Sequence, residues 1–192
     1  MLHHSEIEQI ERDAFADLYG AVDKTYAGVS HVHSKLIAGC LLLAHKGLPA
    51  AEFNRVFGLN LEQNTSEQEL DGILKWLAEY ADPAWAVQIV PDDRSELLHR
   101  WLGARGVRRS GNGWAKFERD ASPVEPTAAT NLRVKILTAE DAGSFGSTVA
   151  TGFSLPSAMS NWFSTLVGRS DWRTYLAYDD DKPAACGAMY LP

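Results

Sequence analysis

Cysteine, cationic charge and long apolar runs are scarce in this sequence, and each scarcity excludes a class of protein. The two cysteines, Cys40 and Cys186, lie far apart in apolar segments, which predicts reduced thiols in the cytoplasm. Lys and Arg number 18 against 25 Asp and Glu, and the formal charge of −7 argues against nucleic acid or a membrane as partner. No apolar run approaches the roughly 18 residues of a membrane span. The N-terminus lacks the apolar stretch of a secretory signal.

What is present is the composition of a globular protein with a substantial core. Apolar residues make up 45% of the chain and charged residues 22%. The segment ASPVEPTAATN is rich in proline and small polar residues, which predicts a linker over residues 121–131. It would separate a first domain, residues 1–120, from a second, residues 132–192. The predicted fold class is α/β or α+β, with mixed sheets flanked by helices.

Seven elements are predicted in residues 1–120. The clearest is a helix whose start carries a capping box of Ser66 and Glu69 and whose end is marked by Asp82-Pro83. The apolar run Leu36–Ala44 is interpreted as one buried strand. In chain order the elements are a helix capped by Ser5 and Glu8, strands in SKLIAGCLLLAHKG and AAEFNRVFG, the capped helix SEQELDGILKWLAEYA, a strand in WAVQIV, a helix in DRSELLHRWLGARG and a strand in GNGWAKFERD.

Residues 132–192 are predicted to run strand, helix, helix, strand, strand. LRVKIL alternates apolar residues in the manner of a strand, and Thr138 caps the helix that follows. A second helix starts near Pro156 and ends at Gly168. WRTYLAY and AACGAMYL then form a hairpin across the turn DDDKP.

This order of elements resembles the opening half of the GNAT superfamily of acyl-CoA-dependent N-acetyltransferases. The residues that carry the resemblance are LRVKILTAEDAGSFGSTVATGF, the second helix, and WRTYLAYDDDKPAACGAMYL. Residues 1–120 resemble a degenerate back half of the same fold, as in tandem members. The resemblance implies acetyl transfer from acetyl-CoA to a small-molecule or peptide amine. It also implies that the second domain stops before its cofactor loop, so that this chain alone is inactive and no catalytic residue can be named.

The cofactor loop of the superfamily has the pattern Arg/Gln-x-x-Gly-x-Gly/Ala before a helix, because bare main-chain amides must approach a pyrophosphate. The equivalent segment here, GLNLEQNTSEQE, lacks a second glycine and carries Glu62, Glu67 and Glu69. We therefore expect no acetyl-CoA bound to this chain alone. RWLGARG imitates the pattern, but Arg105 stands where glycine or alanine is needed, and a helix C-cap is predicted instead.

The resemblance places Phe153, Trp162 and Phe163 at the acceptor side of the cleft, although their helical spacing also suits core aromatics. His31 and His33 in HVH are interpreted as surface residues, and no metal site is predicted. The alternative to an enzyme is a non-enzymatic interaction module. Exposed strand edges would favour pairing between copies, so a homodimer is expected.

Overall fold

The structure, a computed structural model, describes residues 4–26, 28–92, 94–111, 113, 115–120, 122–123 and 130–192. It confirms the α+β class, with helices packed on two separate sheets. Within the described residues no helix has the length and apolar character needed to cross a membrane. The helices are α1 (His4–Gly20), α2 (Glu67–Tyr80), α3 (Ser95–Ala104), α4 (Ala142–Gly152) and α5 (Ser160–Ser164). The strands are β1 (Val32–Ile37), β2 (Cys40–His45), β3 (Arg55–Phe57), β4 (Ala86–Val87), β5 (Arg133–Ile136), β6 (Trp172–Asp179) and β7 (Lys182–Tyr190).

The chain divides into two compact units. Unit 1 comprises Met1–Tyr19 and His31–Ser122, and unit 2 comprises Gly20–Ser30 and Pro123–Pro192. The sequence patterns did not indicate that residues 20–30 pack with the second unit. The predicted linker, residues 121–131, lies for the most part outside the described residues.

The prediction of one strand over Leu36–Ala44 is wrong, because the chain turns back in the middle of this apolar run. β1 and β2 form an antiparallel hairpin in which Ile37 pairs with Cys40. The two turn residues, Ala38 and Gly39, both have positive φ angles of 49° and 78°. Hairpin turns of this kind need positive φ at both central positions. Alanine at the first position conceals the turn from a reading of the sequence.

The other strands of unit 1 are shorter than predicted. AAEFNRVFG begins with a 3-10 turn, Ala51–Phe53, and only Arg55–Phe57 is extended; in WAVQIV only Ala86–Val87 is a strand. The strand predicted in GNGWAKFERD does not occur in the described residues 115–120. There the ammonium of Lys116 lies 2.6 Å from the carboxylate of Glu11. Side-chain ion pairs, rather than a backbone ladder, hold this segment.

The sheet of unit 1 has the order β1-β2-β3-β4, antiparallel except for the parallel pair β3 and β4. Helix α2 covers one face through Leu70, Ile73 and Leu77. Its predicted capping box is confirmed, with reciprocal hydrogen bonds between Ser66 and Glu69. Helix α1 packs on the other face of the sheet, where the rings of Phe15 and Phe57 lie 5.1 Å apart.

The capping box predicted at the start of α1 is not supported by the contacts of Glu8, its acidic residue. The side chain of Ser5 lies outside the described part of the structure. The carboxylate of Glu8 accepts hydrogen bonds from Gln88, at 2.9 Å, and from Lys116. The Glu8 carboxylate therefore binds residues far away in the sequence, although the local pattern predicted that it caps the helix start.

Unit 2 contains the antiparallel sheet β5-β6-β7 and the helix pair α4 and α5. The predicted hairpin of β6 and β7 is confirmed, and Asp180 in its turn has a positive φ of 53°. The two helices approach closely at Gly146, where an added Cβ would collide with the carbonyl of Ser160 and the hydroxyl of Ser164. Tyr26 packs on Trp162 of α5 with ring centroids 5.6 Å apart, which fastens the segment 20–30 to this unit.

Candidate functional site

The candidate site is a cleft in unit 2 between helix α4 and strand β7. One wall is a stripe of hydroxyl side chains on α4, at positions i, i+3, i+4 and i+7. The opposite face of α4 is apolar and buried in the helix pair. The stripe consists of Ser144, Ser147, Thr148 and Thr151, and the buried face consists of Phe145, Gly146, Val149 and Ala150. The separation of two faces on one helix aims the hydroxyls into the cleft.

The other wall is the start of β7, Pro183 to Cys186, and Phe153 also lines the cleft. The cleft is shallow and largely open to solvent, with a volume of about 680 Å³. Phe153 follows the last residue of α4 and leaves its ring 73% exposed. An exposed aromatic ring beside hydroxyl groups can pack on an apolar group while the hydroxyls orient a polar one.

The cleft is electrically neutral. Among the described residues that line it there is no Lys, Arg, Asp, Glu or His. Burial raises the pKa of the Cys186 thiol, so it stays protonated at neutral pH and is a poor nucleophile. The hydroxyl of Thr148 donates to the carbonyl of Ser144, 2.8 Å away, which leaves its oxygen free to accept. A neutral ligand that donates hydrogen bonds therefore suits the cleft better than a charged one.

The three sequence-predicted acceptor residues have different surroundings. Phe153 lines the cleft. Trp162 is fully buried, and Phe163 is 6% exposed. The two rings stack on each other with centroids 6.1 Å apart. The structure therefore brings one of the three aromatics to a surface that a ligand can reach, and it places the other two in the core of the helix pair.

The loop before α2 is closed by its own hydrogen bonds. The amide of Asn60 donates to the Thr65 hydroxyl at 3.2 Å, and the amide of Thr65 donates to the Asn60 side chain at 2.8 Å. At the helix start the amide of Glu69 donates to the Ser66 hydroxyl, and the amide of Ser66 donates to the Glu69 carboxylate. The hydrogen bonds that the amide and the hydroxyl of Ser66 donate to the Glu69 carboxylate lower its pKa, so the carboxylate is charged at neutral pH.

Two further carboxylates at this loop are held by cations from elsewhere in unit 1. Glu62 pairs with Arg12 at 2.6 Å, and Glu67 pairs with Arg105 at 2.9 Å. A coenzyme A pyrophosphate needs unengaged amides and a positive field. At this helix start the capping box engages the amides of Ser66 and Glu69, and the side chains present are carboxylates, so the residues suit that group poorly.

The segment RWLGARG at the end of α3, which imitates the cofactor-loop pattern, is a helix C-cap, as predicted. Gly106 has a positive φ of 77°, and the amide of Val107 donates to the carbonyl of Leu102 at 3.0 Å. This is the arrangement of a Schellman cap, in which a left-handed glycine ends the helix.

The histidines of HVH do not share one strand face. His31 ends a 3-10 turn, while His33 lies in β1 with its ring 4.9 Å from that of Tyr80. In the described part of the chain no group of three or more His, Cys, Asp or Glu side chains has the geometry to hold a metal ion.

Sequence reasoning missed two features. The hydroxyl stripe of α4 could have been found from its helical spacing, because the same period that predicts a core face also predicts the opposite one. The second feature is a buried polar network in unit 1, which no pattern of neighbouring residues in the sequence predicts. It joins side chains up to 108 positions apart: Glu8, Glu11, Arg55, Gln88 and Lys116.

Arg55 is the most buried member of this network. Its guanidinium packs against the rings of both Phe15 and Phe57, 4.4 Å and 4.3 Å from their centroids. Its Nη1 donates to Gln88 at 3.2 Å, and its Nε has no hydrogen-bond partner among the described residues. The network fastens α1 to the sheet, and it is a structural feature of unit 1.

Comparisons with models of known protein families, with curated proteins and with solved structures found no match.

Proposed function

We propose that this chain is related to the GNAT superfamily and that the cleft of unit 2 is the amine-acceptor side of an N-acetyltransferase. The observation that carries the proposal is the element order of unit 2. Strand β5 is followed by two helices and then by β6 and β7, in one antiparallel sheet. This is the order that the opening half of the superfamily has.

The chemistry of the cleft supports an amine as ligand. Acetyl transfer requires the amine in its neutral form, because an ammonium has no lone pair to attack a carbonyl. A cleft lined by hydroxyls without carboxylates does not stabilise an ammonium, and its oxygens can accept hydrogen bonds from a neutral amine. The exposed ring of Phe153 would contact the apolar part of the same molecule.

Acetyl-CoA supplies the acetyl group in this superfamily, and unit 1 is a poor place for it. The capped and acidic start of α2 disfavours a pyrophosphate, which supports the proposal that unit 1 is a partner domain without cofactor. Calorimetric titration of the 192-residue chain with acetyl-CoA should show no micromolar binding. Micromolar binding, weakened by changes in residues 58–66, would contradict this division of roles.

The acceptor proposal can be tested by titrating the chain with a panel of primary amines while recording amide chemical shifts. The expected result is a set of saturable shifts at Ser147, Thr148, Phe153 and Cys186. Phe153→Ala should weaken the binding by roughly tenfold, the effect of losing one good aromatic contact. Binding should strengthen as the pH rises, because the neutral fraction of the amine increases.

Phe117→Ala is the matched control, since it removes another exposed phenylalanine, in unit 1 and outside the cleft. It should leave the affinity unchanged. The proposal is wrong if no amine shifts the cleft amides, or if the two alanine variants lose affinity equally.

A second candidate function, a non-enzymatic interaction module, is favoured by the closed loop before α2. All three of its carboxylates, Glu62, Glu67 and Glu69, are engaged in ion pairs or in the cap. Such a loop is a stable structural element without a ligand role. If the amine titrations fail while the chain remains folded, this candidate is preferred.

A further inference from the structure

We infer that the carboxylates of Glu8 and Glu11 form a binding site for a primary ammonium ion, the ammonium site, and that Lys116 occupies it as a ligand from the same chain. Both carboxylates belong to helix α1 of unit 1 and lie one turn apart. The ammonium of Lys116 donates to the Glu8 carboxylate and lies 2.6 Å from a carboxylate oxygen of Glu11. When Lys116 leaves, the ammonium group of another molecule binds in its place.

The two carboxylates are held in position by groups other than Lys116. The side-chain amide of Gln88 donates a hydrogen bond to each of them, at 2.9 Å in both cases. The oxygen of the same amide accepts from Nη1 of Arg55 at 3.2 Å, which fixes the direction in which the amide nitrogen points. Arg55 is itself held by the two phenylalanine rings described above. The ammonium site is therefore preorganised on α1, on β3 and on the residue that follows β4.

The ammonium site needs a cation because it is buried and has one carboxylate in excess. The side chain of Glu8 is only 9% exposed. The guanidinium of Arg55, 3.5 Å from Glu11, balances one carboxylate, and Lys116 balances the other. Burial acts to raise the pKa of Glu11, but hydrogen bonds from Lys116 and Gln88 outweigh it, so the pKa is lowered and the group is charged at neutral pH. A buried carboxylate that loses its partner is strongly destabilising, so the site must bind another cation or a proton.

The segment that supplies Lys116 is suited to leave. Residues 115–120 form neither helix nor strand, and all six are exposed. The ring of Phe117, next to Lys116, is 92% exposed, so it does not anchor the segment to the core. The Lys116 side chain, in contrast, is 25% exposed and attaches the segment to α1. A segment with so little buried surface opens at a lower cost in free energy than the helix and the sheet beneath it.

The groups at the ammonium site select an ammonium ion over other cations. The contacts to the nitrogen come from one carboxylate oxygen each of Glu8 and Glu11, and an ammonium presents three N–H donors to such oxygens. A metal ion is not favoured, since the described residues contain no group of three or more His, Cys, Asp or Glu side chains that could hold one. A quaternary ammonium has no N–H group and cannot form these hydrogen bonds.

The ammonium site lies in unit 1, and its existence does not depend on the function proposed for the cleft of unit 2. The two sites prefer opposite forms of an amine. Binding of the neutral amine in the cleft strengthens as the pH rises, whereas binding at the ammonium site weakens as the pH approaches the pKa of an alkylammonium, about 10.4. Amide chemical shifts at Glu8, Glu11 and Gln88 report the ammonium site separately from the cleft.

The test is chemical rescue of Lys116→Ala by ethylammonium chloride in the 192-residue chain. The substitution leaves a buried carboxylate without its cation, so the midpoint of thermal unfolding should fall by roughly 5 °C or more. Ethylammonium should restore at least half of this loss in a saturable manner. A variant that is unfolded alone should fold when ethylammonium is added. Nα-acetyl-lysine amide should act at lower concentration than ethylammonium if the natural ligand is a lysine side chain of a protein, and at equal concentration if it is a free amine.

Lys46→Ala is the matched control, since Lys46 is another lysine of unit 1, and its ammonium donates to the carbonyl of Glu79 instead. Ethylammonium should not stabilise this variant, and tetramethylammonium chloride at the same concentration should rescue neither. Adding Glu11→Gln to Lys116→Ala should abolish the rescue. The inference is overturned if ethylammonium neither stabilises nor refolds Lys116→Ala, if it stabilises both lysine variants equally, or if tetramethylammonium is as effective.

Discussion

Strands β2 and β7 are chemically similar and yet have opposite surroundings. Both are rich in small and apolar residues, and each contains one of the two cysteines. All six residues of β2 are buried, whereas none of the nine in β7 is. β2 lies between β1 and β3, with helices on both faces, and β7 lies at the edge of a sheet that is covered on one face. Position in the sheet, rather than composition, decides whether an apolar strand forms core or surface.

The two sheets differ in the same way, since helices cover both faces of the first sheet and one face of the second. In unit 2, Leu176 and Thr174 face the helices and are buried. The opposite face displays Val134, 63% exposed, Ile136, 62% exposed, and Met189, 51% exposed. Alternation in LRVKIL predicted the strand, and the structure shows that its apolar face is the uncovered one. A patch of this kind is a marker of an interaction surface.

The two cysteine thiols differ in burial in the same way as the strands that contain them. Cys40 in β2 is fully buried, and burial raises its pKa to about 11. Cys186 in β7 is half-buried, and burial raises its pKa as well. Neither is poised as a thiolate at neutral pH, which agrees with a structural role for both.

The largest expected effect on stability concerns the polar centre of unit 1. Asn54 is fully buried, accepts the amides of His45 and Asp82 at 2.8 Å and 3.0 Å, and donates to Leu48 and Ala50 at 2.8 Å and 3.1 Å. Asn54→Ala leaves these groups without their partner, so we expect it to lower the free energy of unfolding by about 3 kcal/mol or more. Urea denaturation measures this loss.

Asn64→Ala is the control for Asn54→Ala, because Asn64 is an exposed asparagine of the same unit. It should change the free energy of unfolding by less than about 0.5 kcal/mol. Equal effects of the two substitutions would mean that the hydrogen bonds of Asn54 do not organise the turns around β3.

A smaller loss is expected at the helix contact of unit 2. Gly146→Ala introduces a methyl group against the backbone of Ser160, and the resulting overpacking should cost about 2 kcal/mol. Gly143→Ala on the same helix meets open space and should be neutral or slightly stabilising, since alanine favours helix over glycine. Thermal unfolding of the two variants side by side measures the difference. A Gly146→Ala protein as stable as the Gly143→Ala protein would show that α4 and α5 can move apart.

The parts of this fold that could be predicted from sequence are those with a complete local signal. The capping box of α2, the glycine cap of α3 and the β6–β7 hairpin each have their deciding residues within a few positions of each other. The β1–β2 turn failed because Ala38 adopts a conformation that alanine rarely takes. Arg55 and its network depend on partners far away in the chain, and no local pattern contains that information.

The candidate site could be predicted from the sequence only in part, because only some of its features have a local signal. Phe153 at the end of α4 was among the predicted acceptor residues, and the structure places it in the cleft. Trp162 and Phe163 have the same aromatic character, but the rotation of α5 against α4 turns them into the core. Which side of a short helix faces inward depends on its packing partner, and five residues carry too short a period to show it.

The smallest expected effect compares one substitution in the two units. Ile73 of α2 is fully buried under the first sheet, and Ile136 of β5 lies on the uncovered face of the second. Ile73→Val should lower the free energy of unfolding by about 1 kcal/mol, because it leaves a small cavity. Ile136→Val removes the same methyl group from a side chain that already contacts water, and it should change stability by less than about 0.5 kcal/mol. If Ile136→Val is as costly as Ile73→Val at high protein concentration but not at high dilution, the uncovered face is buried by association.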